Sequence, residues 1–260
     1  MSYTLFSGCS YTAGNGFALE KEDPALWVNQ LYQQFFSRTQ KINVSKGGRS
    51  NAGIFQDTIS ALVSYPVEYA FVEWTSVPRY ELELGLETYC TTQMFIPNCD
   101  CLDHSLNTGN YSKEYLNSIR DRFTSLSHNH GEIVNLLNYA NSISKLCELT
   151  KTKVFFINGM CCWDANFFVK KIDVLSNEYT PYTRHLLNVD NRDDDEIFII
   201  YNKIHQQYLN TGGIREALWL NLYSSMRNLR IDVNDDNTHP GIESNLEYVD
   251  LFSRALNAKL

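Results

Sequence analysis

Near one end of the chain a serine stands between glycines, in Gly8-Cys9-Ser10-Tyr11-Thr12-Ala13-Gly14. Near the other end an aspartate and a histidine stand three apart, in Asn234-Asp235-Asp236-Asn237-Thr238-His239-Pro240-Gly241. A serine hydroxyl is a weak nucleophile until a base takes its proton. An imidazole is the usual base, and a carboxylate on its other nitrogen orients it and stabilises its charged form. The spacing of Asp236 and His239 lets the carboxylate meet one ring nitrogen within a turn and leaves the other free. Each segment also has a plainer reading. Ser10 would serve equally as the N-cap of a strand-to-helix turn, and residues 234–241 as an Asx-type turn with an exposed histidine.

Two further segments carry groups suited to holding a developing oxyanion. In Lys46-Gly47-Gly48-Arg49-Ser50-Asn51, Gly48 can bring its backbone N–H close to a negative oxygen. Ser50 or Asn51 there fits the N-cap of a following helix, and Asn51 is also a candidate to bind the oxyanion or substrate. In Glu73-Trp74-Thr75-Ser76-Val77-Pro78-Arg79, the hydroxyls of Thr75 and Ser76 are possible donors. Arg79 suits a substrate carboxylate, or an ion pair with Glu73 or Glu81, and a structural salt bridge is its plainer role.

These segments follow stretches that read as strands. Tyr3 to Ser7 is a short apolar run, buried on both faces, that ends at Gly8. Lys41 to Ser45 ends before Gly47-Gly48. Glu68 to Trp74 holds the clear run Tyr69-Ala70-Phe71-Val72. Lys153 to Asn158 has Val-Phe-Phe-Ile at its heart, and Arg230 to Val233 is a short fifth strand. Helical spacing marks Pro24 to Phe36, Ala52 to Val63, Gly131 to Leu149, Glu196 to Leu209, Ile214 to Leu222 and Glu243 to Asn257. Strands alternating with helices predict an α/β fold, with a five-stranded parallel sheet and helices on both faces. In such sheets ligands bind at the carboxyl ends of the strands, where these segments fall. Residues 80–130 and 160–195 lack clean periodicity and read as irregular insertions in a single domain spanning residues 1–260.

The chain has 260 residues, 43% hydrophobic and 20% charged, enough to bury one sizeable core. A formal charge of −8 argues against general binding to nucleic acid or to anionic membranes. No cationic start precedes an apolar run, and no stretch is long enough to span a membrane, so the expectation is a cytoplasmic protein or one packaged in a particle. The seven cysteines are odd in number, and free thiols are the default. Cys99-Asp100-Cys101 and Cys161-Cys162 lack the two-residue gap of a zinc knuckle. His104, His128, His130, His185 and His205 lack a metal-like spacing, and the run Asp193-Asp194-Asp195 reads as a solvated helix start.

Taken together, Gly-x-Ser-x-x-x-Gly after the first strand, the glycine–serine–asparagine segment after the second and Asp-x-x-His-Pro before the last helix resemble the SGNH/GDSL hydrolase family. The resemblance runs from Gly8 to Gly241. It implies a three-layer, flavodoxin-like fold and a serine esterase. Ser10 would be the nucleophile and, through its own N–H, one oxyanion donor. Gly48 would be a second donor, His239 the base and Asp236 its partner. No metal or organic cofactor is implied. Two positions depart from the family pattern. Cys9 replaces the aspartate of Gly-Asp-Ser. After the third strand the family has Gly-x-Asn-Asp, whose asparagine donates to the oxyanion, and this chain has Trp74-Thr75-Ser76-Val77. The form Trp-Thr-Ser-x-x-Arg is similar to SGNH-like proteins of phage and bacterial genomes.

The reaction implied is transfer of an acyl group from an ester to water, a small acyl group on a carbohydrate being one candidate. Aromatic residues of the two insertions (Tyr89, Phe95, Trp163, Phe167, Phe168, Tyr179 and Tyr182) would suit stacking on a sugar, although core packing explains most aromatics. An acyltransferase would use the same residues. A binding or structural protein on the same fold is the rival of another class, favoured by the missing asparagine. A thiol enzyme using Cys9 is disfavoured, because neighbouring residues leaving a strand point opposite ways.

Overall fold

The computed structural model describes residues 2–75, 81–84, 87–90, 129–159, 215–221, 226, 229–234 and 239–260. The predicted helix over 196–209 and the insertion 160–195 lie outside these residues.

Four parallel strands form the sheet: β1 (Tyr3–Ser7), β2 (Gln40–Asn43), β3 (Val67–Trp74) and β6 (Lys153–Asn158), in the order β2-β1-β3-β6. β1 pairs with β2 from Tyr3↔Gln40 to Phe6↔Asn43, and with β3 up to Ser7↔Val72. β3 pairs with β6 from Tyr69↔Lys153 to Trp74↔Asn158. The order reverses at β1, so the crevice at the carboxyl ends of β1 and β3 is the switch point where doubly wound sheets bind ligands. A separate antiparallel pair, β4 (Glu81–Leu84) and β5 (Glu87–Cys90), lies within the first predicted insertion.

Alternation along the strands divides the core into two layers. Leu5, Ala70, Val72, Trp74, Val154 and Phe156 belong to one cluster, with Ile54 and Leu62 of α3 (Asn51–Ser64) and Leu136, Ala140 and Ile143 of α4 (Asn129–Thr150). Phe6, Tyr69, Phe71, Phe155 and Ile157 belong to the other. There they pack with Trp27, Val28 and Leu31 of α2 (Trp27–Leu31) and with Tyr248, Phe252 and Leu256 of α5 (Ile242–Asn257). This is the three-layer α/β arrangement expected, with helices on both faces of a parallel sheet. Among the described residues no helix is long and apolar enough to cross a membrane.

Three expectations change. The sheet has four described strands, not five. Arg230 to Val233 does not join it: Val233 makes a single antiparallel bridge, with Pro240. Ile231 and Val233 are 62% and 41% exposed, so this apolar alternation has no core to face. Ile214 to Leu222 is not a helix over its described part. It holds a short 3-10 turn, Glu216–Leu218, after which Trp219 makes a parallel bridge to Phe156 on the outer edge of β6. The helix expected over Pro24 to Phe36 begins as α2 at Trp27 and runs into a π turn, Tyr32–Phe36.

Candidate functional site

The turn after β1 leads into α1 (Ser10–Ala13), four residues closed by Gly14 with φ 76°. Ser10 is the first residue of α1 and is 6% exposed. Its Oγ lies 3.9 Å from Cys9 Sγ. Cys9 is completely buried, with its thiol 3.1 Å from Glu73 Oε1. The thiol is therefore directed beneath the turn, toward β3.

The turn after β2 is tied to the turn after β1. Val44 N donates to Phe6 O at 2.9 Å, and Lys46 N donates to Gly8 O at 3.3 Å. Gly48 has φ 75°, a left-handed conformation that side chains strain to adopt, so glycine is required here whatever its chemistry. Ser50 is the N-cap of α3, its Oγ accepting from Gly53 N at 3.0 Å. Of the two capping candidates it is Ser50 that caps.

Asn51 does something else. Its Nδ2 donates to Thr75 O at 3.1 Å and its Oδ1 accepts from Thr75 N at 2.9 Å. This pair of bonds pins the backbone just beyond β3 to the start of α3. Thr75 itself is fully buried, and among the described residues its Oγ1 has no hydrogen-bond partner. Leaving a buried hydroxyl unpaired costs about 1–3 kcal/mol. A buried hydroxyl of this kind calls for an explanation.

Residues from the far end of the chain reach the same edge. The ring of His239 stands edge-on to that of Tyr11, the neighbour of Ser10, with centroids 6.1 Å apart. Asn234 N donates to His239 O at 2.9 Å, and Gly241 N donates to Asp232 O at 3.2 Å. The Asp232 carboxylate accepts from Glu243 N at 3.1 Å, from Ser244 N at 2.7 Å and from Ser244 Oγ at 2.6 Å. It caps α5, whose own N-cap, Gly241, has no side chain to do so. Burial pushes the Asp232 carboxyl up, and the bonds from Ser244 and Glu243 more than offset it, holding the group below the usual aspartate range. α5 is locked against α2 by Asn245, whose Oδ1 accepts from Trp27 N at 2.9 Å.

Ser10, Gly48, Asn51 and Thr75 thus follow the carboxyl ends of β1, β2 and β3, and His239, just before α5, meets the Ser10 turn through Tyr11. Asp236, Ser76 and Arg79 lie outside the described residues. Glu73, weighed in the sequence only as a partner for Arg79, proves central to the edge: it is fully buried and holds the Ser10 turn. Its signal was available. An acid in the alternating row Tyr69, Phe71, Glu73 of a buried strand has to be satisfied inside the protein.

No family model matches the sequence, and no curated protein matches it. Similar solved structures include a psychrotrophic esterase from Pseudoalteromonas sp. inhibited by monoethylphosphonate, at 10% identity over 99% of this chain and 98% of that one, TM-score 0.46. A putative lipolytic protein of the G-D-S-L family from Desulfitobacterium hafniense aligns at 10% identity over 98% and 99%, TM-score 0.43. A GDSL-like lipase from Bacteroides thetaiotaomicron aligns at 13% identity over 100% and 89%, TM-score 0.41. At such scores the fold rests on the strand order and register of this chain. By these it is an α/β fold with a parallel sheet wound on both faces, the class that the SGNH/GDSL resemblance implied.

Proposed function

We propose that the protein is a serine acyl hydrolase of the SGNH type, acting on an ester. The observation that carries this reading is the meeting of the chain's two ends, with His239 packed against the residue that follows Ser10. A histidine exposed in an ordinary turn has no reason to be there.

In the proposed reaction His239 takes the proton of Ser10, and Ser10 Oγ attacks the ester carbonyl. The N–H groups of Ser10 and Gly48 receive the negative charge that develops on the carbonyl oxygen. The Thr75 hydroxyl supplies the donor that the family draws from an asparagine, and Ser76 is the alternative. His239, oriented by Asp236, returns the proton to the leaving alcohol, and water then releases the acyl group by the same steps. No metal or organic cofactor enters. The substrate is a small-molecule ester, and a short acyl group on a carbohydrate fits the chemistry.

The test is steady-state turnover of p-nitrophenyl acetate and butyrate by the wild type, Ser10→Ala and His239→Ala. The proposal expects turnover in the wild type and a loss of at least about a thousandfold in each variant. A folded wild type without turnover would point to a binding protein. Transfer to an added sugar in preference to water would point to an acyltransferase.

A further inference from the structure

The carboxylate of Glu73 lies beneath the turn that presents Ser10. Its Oε2 accepts from Cys9 N at 3.1 Å and from Thr12 Oγ1 at 2.5 Å, and its Oε1 accepts from Cys9 Sγ at 3.1 Å. These donors come from the residue before Ser10 and from the second residue after it. Cys9, the N-cap residue of α1, makes no side-chain capping bond. A carboxylate from the neighbouring strand therefore grips α1 on both sides of its first residue.

The surroundings are shaped around that carboxylate. A Cβ at Gly8 would stand 2.5 Å from Glu73 Oε2, and one at Gly159, just beyond β6, would collide with Oε1. Two strand ends have thus given up a side chain for it. Glu73, Thr12 and Cys9 are at most 1% exposed, so these bonds are made away from bulk solvent. An acceptor removed here takes a partner from a buried N–H and from a buried hydroxyl.

Two residues along the same strand direction stands Thr75, itself pinned by Asn51. The distance from Ser10 to Thr75 is therefore set through Glu73 and a single intervening residue. We infer that Glu73 is the positioning residue of the site, holding the Ser10 turn in register with the end of β3. The inference rests on the serine hydrolase reading above. It assigns Glu73 no contact with the substrate. A displacement of about 1 Å costs on the order of a hundredfold in rate when reacting groups must be aligned.

The experiment compares Glu73→Ala, Glu73→Gln and Thr12→Val with the wild type, using kcat and KM for p-nitrophenyl acetate, the rate of fluorophosphonate labelling and the melting temperature. Ile143→Ala, which opens a cavity under α4 in the other core layer, controls for loss of stability alone. Glu73→Ala should lower kcat and the labelling rate about a hundredfold with KM within about twofold. Glu73→Gln keeps an oxygen for Cys9 N–H and Thr12 Oγ1, and should recover about tenfold of that loss. Thr12→Val should lower kcat about fivefold, and decides the matter if Glu73→Ala does not fold. Rates within twofold of wild type in the variants that fold would overturn the inference. So would Glu73→Gln no better than Glu73→Ala, or an equal loss of kcat in Ile143→Ala. A wild type that neither turns over nor takes the label would instead remove the hydrolase reading, and this inference with it, before any Glu73 variant is compared.

Discussion

The hydroxyl of Thr75 is fully buried and has no hydrogen-bond partner among the described residues. Stability and catalysis make opposite demands on it. Thr75→Val removes a buried hydroxyl that no described residue pairs, while keeping the shape, so the melting temperature should hold or rise. If the hydroxyl meets the oxyanion, kcat should fall about a hundredfold, the usual loss for one such donor. Thr75→Ser should keep most of the rate. A lower melting temperature with full activity would show that the hydroxyl serves the fold. The buried thiols should be inert: burial pushes Cys147 up to about 12, and Cys9 is fully covered. Peptide mapping after iodoacetamide should therefore find Cys9 unmodified in the native protein, and rapid modification of Cys9 with matching loss of activity would favour it as nucleophile. Ser10, Gly48 and Thr75 could be picked out as candidates because turn residues directly after a strand are a local signal, and His239 because an acid stands three residues before it. Glu73 could not be assigned its role. Its partners Cys9 and Thr12 are 64 and 61 positions away, and pattern carries no information on such contacts.

At the scale of elements, α5 depends on a carboxylate borrowed from outside it. Asp232→Ala should cost about 1 kcal/mol, the ordinary value of a lost N-cap, seen as a lower denaturation midpoint. The pH dependence follows from the lowered pKa of Asp232. The contribution is complete above the unfolded value of about 3.9 and is lost as pH falls through the folded value. Chemical denaturation of the wild type and Asp232→Asn across that acid range should therefore converge at low pH. A constant difference would mean that the charge is not what caps the helix. The strands Tyr3–Ser7 and Lys153–Asn158 were readable to the residue, because apolar runs ending at glycine define both limits. α3 and α5 were readable within a residue, since a capping serine and an amphipathic stripe mark them. The short α2 was not, as Pro24 suits a turn as well as a first helical turn. The cap by Asp232 was invisible because it reaches across 12 positions.

At the scale of the whole molecule, a parallel sheet covered on both faces brings both ends of the chain to one edge. α5 closes the layer over Phe6 and Phe71 with Tyr248, Phe252 and Leu256, all fully buried. Phe252→Ala should cost about 3–5 kcal/mol, as truncation of a buried aromatic does, and thermal unfolding would report it. The parallel sheet was legible from strands alternating with helices and buried on both sides. Its outer edge was not. Trp219 reaches β6 through a single bridge, and one bridge leaves no period in a sequence. The central claim is that this architecture makes Ser10 a nucleophile. Its most direct measurement is intact mass after incubation with a fluorophosphonate, followed by peptide mapping, for the wild type and His239→Ala. The wild type should form one adduct per chain, on Ser10, and His239→Ala none. A folded wild type without an adduct, or with the adduct on another residue, would contradict it.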